Sequence, residues 1–132
     1  MIETVENKAS LTNILLEYFP NYILTNDPYE HGYVYKINNK IIGIILYSII
    51  YDRAELNYII VLEKYRHQKI GKELLEKCLK DLKNKAVENI TLEVNKNNKA
   101  VQFYLKNGFI IKAIRKNYYK TDDAYLMIKE VI

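Results

Sequence analysis

The segment from Tyr58 to Lys72, YIIVLEKYRHQKIGK, constrains the fold of this chain more than any other part of the sequence. It opens on an apolar run and continues through a basic and polar stretch from Glu63 to Lys69. Gly71 then begins a pattern of apolar residues at spacings of three and four. This order predicts a strand, a tight loop and the start of a helix. The first amides of a helix lack partners within the helix, and the helix dipole adds positive potential there, so the arrangement favours a phosphorylated ligand.

The remaining pattern predicts an α/β fold, a mixed sheet that is antiparallel at both ends, contains one parallel pair and carries helices on its faces. The run at residues 40–51 is the most apolar in the chain and is expected to be a central strand covered on both faces. The unit across residues 54–94 has the length of a right-handed crossover, so its two strands are expected to be parallel neighbours. The other strands are expected at residues 1–6, 33–37, 109–115 and 125–131.

Capping and turn residues separate these elements. Ser10 is expected to cap a first helix, and Asn97 or Asn98 a last helix that ends at Asn107-Gly108. Asn38-Asn39 predicts a hairpin turn. Longer connections are expected at residues 21–32 and 117–123.

Length and composition predict one domain over residues 1–132, which we expect to be soluble and cytoplasmic. The single cysteine excludes an internal disulfide and fits a reducing compartment. The longest apolar run is too short to span a bilayer, and the N-terminus lacks a signal pattern, so no membrane partner is expected. The net charge of +4 includes a basic excess between Lys64 and Lys85 and favours an anionic ligand near the loop. Because the aromatic residues do not interleave with the basic ones, no DNA partner is expected.

Several side chains outside the loop could carry chemistry. Glu93 lies in an apolar strand, where a carboxylate is either a solvated outward residue or a general base, and the pattern leaves both open. Tyr104 falls on the apolar stripe of the last helix, and spacing alone favours a core position. Cys78 occupies a helical core position and is expected to be an inert small hydrophobe. His31 and His67 are too far apart in sequence to indicate a metal site.

From Ile59 onward the sequence resembles the GNAT superfamily of acetyl-CoA-dependent N-acetyltransferases, and within it the RimI-like N-terminal protein acetyltransferases. The superfamily signature is Arg or Gln, two residues, Gly, one residue, then Gly or Ala. Here it reads Arg66-His67-Gln68-Lys69-Ile70-Gly71, with Lys69 in place of the first glycine. Downstream, LEVNKNNKAVQFYLKNGF and RKNYYKTDDAYLMIKE are similar to further RimI-like motifs in the same order. The resemblance covers residues 40–132 and is looser over the first forty.

The resemblance implies a single GNAT domain that binds acetyl-CoA and needs no metal. Backbone groups of Ile59, Ile60 and Val61 would bind the pantetheine arm and polarise the thioester carbonyl. The amides from His67 to Lys72 would surround the pyrophosphate. Asn97 would contact the cofactor near the thioester end of the arm.

The resemblance also implies catalytic roles. Glu93 would be the general base on the acceptor ammonium, directly or through water, and Tyr104 the general acid for the departing thiolate. Tyr118 and Tyr119 would line the acceptor site. The pair Asp122-Asp123 would either attract an ammonium or form a hairpin turn.

The implied acceptor is a protein N-terminal α-amine, and for RimI-like enzymes that of a ribosomal protein. One alternative is a small-molecule amine or a lysine side chain, since the loosely matching first forty residues would alter the acceptor pocket. A second alternative is a non-catalytic CoA-binding module in which Lys69 has weakened turnover.

Overall fold

The computed structural model describes residues 1–132 and contains a seven-stranded mixed sheet with the strand order β1-β2-β3-β4-β5-β7-β6. One neighbouring pair, β4 with β5, is parallel, and the other five pairs are antiparallel. The predicted mixed α/β fold is therefore confirmed. The strands are β1 (Ile2–Thr4), β2 (Glu30–Ile37), β3 (Lys40–Ile50), β4 (Arg53–Val61), β5 (Asn89–Asn95), β6 (Ile110–Tyr119) and β7 (Asp122–Glu130). The α-helices are α1 (Thr12–Tyr18), α2 (Ile70–Asn84) and α3 (Ala100–Lys106), with short 3-10 turns at Lys8–Leu11 and Glu63–Tyr65.

The two faces of the sheet carry separate hydrophobic cores. Helices α2 and α3 pack on one face, which we call the α2 face, and contribute Leu74, Leu82 and Tyr104 to the larger core. Helix α1 packs on the opposite face, the α1 face, with Leu11 and Leu15 in the smaller core. Strand β3 has buried side chains in both cores, so the prediction that it is covered on both faces is confirmed.

Strands β4 and β5 pair only at their beginning. Their register runs from Arg53 opposite Asn89 to Glu55 opposite Thr91, and the two strands then separate. Where they separate, β4 contains a bulge: Leu46 and Tyr47 of β3 are consecutive, but their partners on β4 are Tyr58 and Leu56. Asn57 is the additional residue, and such an insertion bends a strand and increases its local twist. The bulge and the end of pairing together open a gap through the sheet.

Most of the predicted elements are present with small changes at their ends. The turn at Asn38-Asn39 has positive φ at both residues, and Gly108 ends α3 with a φ of 92°, as predicted. The prediction for Ser10 was wrong, because Asn7 caps the first 3-10 turn with its side chain and Ser10 donates back to the Asn7 carbonyl. Strand β2 begins earlier than expected, and β6 and β7 extend into residues 117–123 to meet in a tight turn.

No helix in the structure combines the length and the apolar character that crossing a membrane requires.

Candidate active site

The loop before α2 presents a run of unused backbone amides. None of the six N–H groups from His67 to Lys72 donates to an acceptor within the chain, and the first helical bond at this end is from Glu73 to the Lys69 carbonyl. Three of the six belong to the first turn of the fifteen-residue helix α2, so the positive end of its dipole lies behind them. Six such donors around one helix terminus can bind an anion.

The backbone of this loop alternates in handedness. His67 has a φ of 64° and Lys69 a φ of 65°, both in the left-handed region. Alternation of this kind turns successive amides toward one point and forms an anion-binding concavity. A residue with a Cβ is strained there, by about 1–2 kcal/mol for a left-handed conformation. Lys69 therefore replaces the expected glycine at a position where the backbone still adopts the left-handed conformation that glycine favours.

Arg66 stabilises the loop from within. Its Nε donates to the Val61 carbonyl at 3.0 Å, and its guanidinium lies 5.7 Å from the centroid of the Tyr18 ring. The side chain therefore ties the loop back to the end of β4 and to α1. On the other side, Gly71 lies close to the Phe103 ring, and a Cβ on it would be 3.4 Å from that ring.

The end of β4 offers two further amides to the gap. The Leu62 amide donates to the Ile42 carbonyl of β3 at 2.9 Å. Because bonded positions alternate along an antiparallel ladder, the amide of Ile60 also faces β3, whereas the amides of Ile59 and Val61 face the gap. Ile60 was also predicted to contact the cofactor, but its amide faces β3 and its side chain is buried in the smaller core.

Glu93 faces the α1 side of the gap. Its neighbours Leu92 and Val94 are buried in the larger core, so alternation along β5 places Glu93 on the opposite face. Its Oε1 lies 3.2 Å from a guanidinium nitrogen of Arg115. Its Oε2 is buried and has no hydrogen-bond partner in the chain. Glu93 is thus an oriented carboxylate with one oxygen free to receive a proton.

Tyr104 lies on the α2 side. It is 8% exposed and packs edge-on against Phe103 and Phe109, with ring centroids 5.6 Å away in each case. Burial raises the pKa of its hydroxyl to about 12, so the group is protonated at neutral pH. Tyr104 thus lies in the core, as its spacing predicted, and its hydroxyl carries the proton that a general acid needs.

The β5–α3 connection is fixed to the start of β7. Asn95 and Asn97 donate from their side-chain amides to the two carboxylate oxygens of Asp122, at 3.0 and 3.2 Å. Asp123 accepts the Asn117 amide at 3.0 Å and pairs with Lys116 at 3.3 Å, and these contacts, the Asn117 bond first, lower its pKa. Both aspartates are thus used inside the protein, which favours the hairpin-turn interpretation.

Tyr118 and Tyr119 lie at the end of β6, close to Glu93 and Arg115. Their rings meet edge-on with centroids 5.1 Å apart, and the Arg115 guanidinium lies 5.5 Å from the Tyr118 centroid. Burial, followed by the charges of Tyr118 and Glu93, raises the pKa of Tyr119. The structure therefore brings Glu93, Arg115 and the two tyrosines together at one edge of the gap. Cys78 is fully buried in the core, and burial raises the pKa of its thiol.

A cavity of about 400 Å³ opens on the α1 face beside Glu93. Tyr22 lies in its wall, and the hydroxyl of Tyr22 is buried without a hydrogen-bond partner. Asn57 also lines it and donates to Glu30 and to Ser48, at 2.8 Å in each case. Sequence reasoning did not assign these residues. The bulge is nevertheless visible in the sequence. The alternating apolar residues fall at even positions before Asn57 (Ala54 and Leu56) and at odd positions after it (Ile59 and Val61). The full lining is Tyr22, Ile23, Thr25, Asp27, Glu30, Ser48, Glu55, Leu56, Asn57, Tyr58 and Glu93.

The one parallel pair of the sheet separates beside a helix N-terminus with free amides, an arrangement that can bind a phosphorylated ligand. The sequence matches the profile of the Acetyltransferase (GNAT) family over residues 4–109, so the chain belongs to this family. The predicted family and the acyltransferase class that it names are confirmed.

Particular relatives carry more specific names. A ribosomal protein bS18-alanine N-acetyltransferase of Haemophilus influenzae is 43% identical over 82 residues, which are 62% of this chain and 56% of the relative. A spermidine N(1)-acetyltransferase of Thermoplasma acidophilum is 37% identical over 76 residues, 57% of this chain and 47% of the relative. The alignments thus span about half the length of these curated relatives. The crystal structure of an aminoglycoside 6'-N-acetyltransferase complexed with coenzyme A has the same fold, with a TM-score of 0.88 at 15% identity, covering 100% of this chain and 97% of that one.

Proposed function

We propose that this protein transfers the acetyl group of acetyl-CoA to a protein N-terminal α-amine, as its RimI-like resemblance implies. The observation that carries the proposal is the gap between β4 and β5, which has free loop amides on its α2 side and a free carboxylate oxygen on its α1 side. Acetyl-CoA supplies the activated thioester. The name of the Haemophilus influenzae relative supports a ribosomal protein N-terminus as the acceptor.

The donor side is formed by backbone groups. The amides from His67 to Lys72 would bind the pyrophosphate, and those of Ile59 and Val61 would bind the pantetheine arm and the thioester oxygen. The exposed Lys69 side chain would add a positive charge near the phosphates, while Asn97 would fix the loop beside the arm through Asp122.

The acceptor side is formed by side chains. Glu93 Oε2 would take the proton from the acceptor ammonium, while Arg115 keeps Oε1 in place. The amine nitrogen then bonds to the acetyl carbon as the carbon–sulfur bond breaks, and Tyr104 would donate its proton to the departing sulfur. The nitrogen would lose its second proton to solvent, and solvent would return a proton to Tyr104. Tyr118 and Tyr119 would line the acceptor channel next to Arg115.

A small-molecule amine is the second candidate acceptor. The cavity beside Glu93 contains four carboxylates and no lysine or arginine, which favours a cationic acceptor of limited size. A relative named as a spermidine acetyltransferase is consistent with this alternative.

Release of free thiol from acetyl-CoA, measured against a panel of acceptors, tests the proposal. The panel contains peptides with free N-termini, N-terminally blocked peptides with a lysine, and polyamines. The proposal predicts the highest kcat/KM for the free N-termini, and a higher value for polyamines or blocked lysine peptides would select the alternative. A rise in melting temperature with acetyl-CoA but no thiol release from any acceptor would indicate a non-catalytic CoA-binding module.

A further inference from the structure

The cavity beside Glu93 carries more negative charge than one ammonium group would balance. Asp27, Glu30, Glu55 and Glu93 line it, and no lysine, arginine or histidine does. Lys8 pairs with Glu30 at 2.9 Å and Arg115 with Glu93 at 3.2 Å. Four carboxylates against two cations leave two negative charges, and these remain on Asp27 and Glu55, neither of which forms a salt bridge.

The two unpaired carboxylates lie near the reacting position. Glu55 is the register partner of Thr91, two residues before Glu93, and both glutamates project from the α1 face of neighbouring strands. Asp27 belongs to the loop that closes the other side of the cavity, where one of its oxygens accepts the Tyr29 amide at 2.9 Å. Its second oxygen is free of protein hydrogen bonds.

Tyr22 adds an unpartnered polar group to the wall of this cavity. The side chain is 7% exposed, its ring packs edge-on against Tyr58 at 5.3 Å, and its buried hydroxyl has no partner. A buried hydroxyl without a hydrogen bond is destabilising, so a ligand that supplies the bond gains binding free energy. Burial, with Glu30 and Tyr58 nearby, raises the pKa of this hydroxyl, so it stays neutral and can accept a hydrogen bond from an ammonium group.

We infer that the acceptor is a dication, an amine that carries a second positive charge on the same molecule, with Asp27, Glu55 and the Tyr22 hydroxyl binding that second charge. Glu93 Oε2 faces the amine that reacts. This inference rests on the proposed acetyl transfer at this site and specifies the acceptor class. Both a free diamine and a peptide with a basic second residue present this chemistry, and a monoamine of the same size, which carries one positive charge, does not.

Two matched pairs of acceptors test the inference. One pair is diaminobutane and butylamine, and the other is a peptide beginning Ala-Lys and the same peptide with norleucine in place of the lysine. The doubly charged member of at least one pair should have a kcat/KM about fivefold higher or more, the size of a partly screened ion pair. The pair that shows the larger ratio identifies whether the second charge belongs to a small amine or to a peptide.

Variants show whether these residues cause the preference. The double change Asp27→Asn with Glu55→Gln keeps the oxygen that accepts the Tyr29 amide and should bring the ratio close to one. Tyr22→Phe should raise KM for the doubly charged member with little change in kcat. Glu17→Gln, on the exposed side of α1 and outside the cavity, is the matched control and should keep the ratio.

Equilibrium binding separates this inference from the proposed function. Calorimetry with CoA-loaded protein should give a lower Kd for diaminobutane than for butylamine even if no acceptor is acetylated. Absence of turnover with every acceptor would contradict the acetyl transfer and leave the two Kd values to decide the inference. Equal kcat/KM and equal Kd within both pairs, or an unchanged preference in the double variant, would overturn it.

Discussion

Glu93 and Tyr104 lie on opposite faces of the sheet, at the gap where β4 and β5 separate. Glu93 projects toward the cavity on the α1 face, and Tyr104 packs in the core on the α2 face. The loop with free amides precedes α2 and therefore lies on the same face of the sheet as Tyr104. This relationship places the proposed general acid on the donor side and the proposed base on the acceptor side, so each proton transfer occurs where its substrate enters.

The change Glu93→Gln should lower kcat about a hundredfold or more, because the amide keeps the shape of the side chain and cannot take a proton. Affinity for acetyl-CoA should not change, since Glu93 faces away from the donor side. Thiol release and calorimetry measure the two effects. Glu88→Gln, on the exposed surface just before β5, is the matched control, and equal activity of the two variants would remove Glu93 from the mechanism.

The change Tyr104→Phe should lower kcat and leave the fold intact, because the phenyl ring keeps its contacts with Phe103 and Phe109. Burial raises the pKa of Tyr104 from 10.0 to about 12, so the ratio of the kcat values of the two proteins should stay constant between about pH 7 and pH 10. A ratio that falls with an apparent pKa below 10 would show that a different group is the acid.

The same pKa predicts a difference in alkaline stability. A folded-state pKa above the unfolded value contributes stability that is complete below pH 10 and is lost as the pH rises toward 12. The Tyr104→Phe protein lacks this ionisation and should lose less free energy of unfolding than the unmodified protein across that window. Urea denaturation at several pH values measures it, and parallel losses in both proteins would contradict the burial of the hydroxyl.

Two changes at Lys69 separate backbone strain from charge. Lys69→Gly removes a side chain from a left-handed position and should raise the free energy of unfolding by about 0.5–1 kcal/mol, after the entropy of glycine in the unfolded chain is subtracted. Lys69→Gln retains the strain and removes the charge.

The affinity of these two variants for acetyl-CoA then measures the effect of the Lys69 charge alone. Both variants should weaken binding by about the same factor if the ammonium binds phosphate, and the loss should shrink at high salt. Tighter binding by Lys69→Gly than by the unmodified protein would show that the lysine obstructs the loop.

Asn57→Ala should cost about 1–3 kcal/mol of stability, because it leaves Glu30 and Ser48 without the amide that joins them. It should also raise KM for the acceptor, since the bulge shapes the cavity beside Glu93. Ser48→Ala removes one of the two bonds and should cost less. Equal stability of Asn57→Ala and the unmodified protein would show that the bulge does not depend on these bonds.

Local signals in the sequence predicted the local structure. The Asn38-Asn39 turn, the glycine that ends α3 and the apolar stripe of α2 depend on neighbouring residues only, and each was predictable. Crossover length predicted the parallel pair. Resemblance to a family, rather than periodicity, indicated roles for Glu93 and Tyr104.

Long-range packing determined the rest. Strand β7 lies between β5 and β6, which no local pattern encodes. Tyr22 reaches the cavity because α1 folds across the sheet, so its position depends on residues distant in sequence. Arg115 pairs with Glu93 across β7, and this contact also follows from the strand order.

The proposed reaction is a direct transfer between two substrates that are bound at once in the gap. Cys78, the one cysteine in the sequence, is fully buried, so no thiol is available to carry the acetyl group. Initial velocities of thiol release, measured while acetyl-CoA and the acceptor are each varied, test this claim most directly. We expect double-reciprocal lines that intersect, as a ternary complex requires. Parallel lines, together with an acetylated protein detected by intact mass after incubation with acetyl-CoA alone, would contradict it.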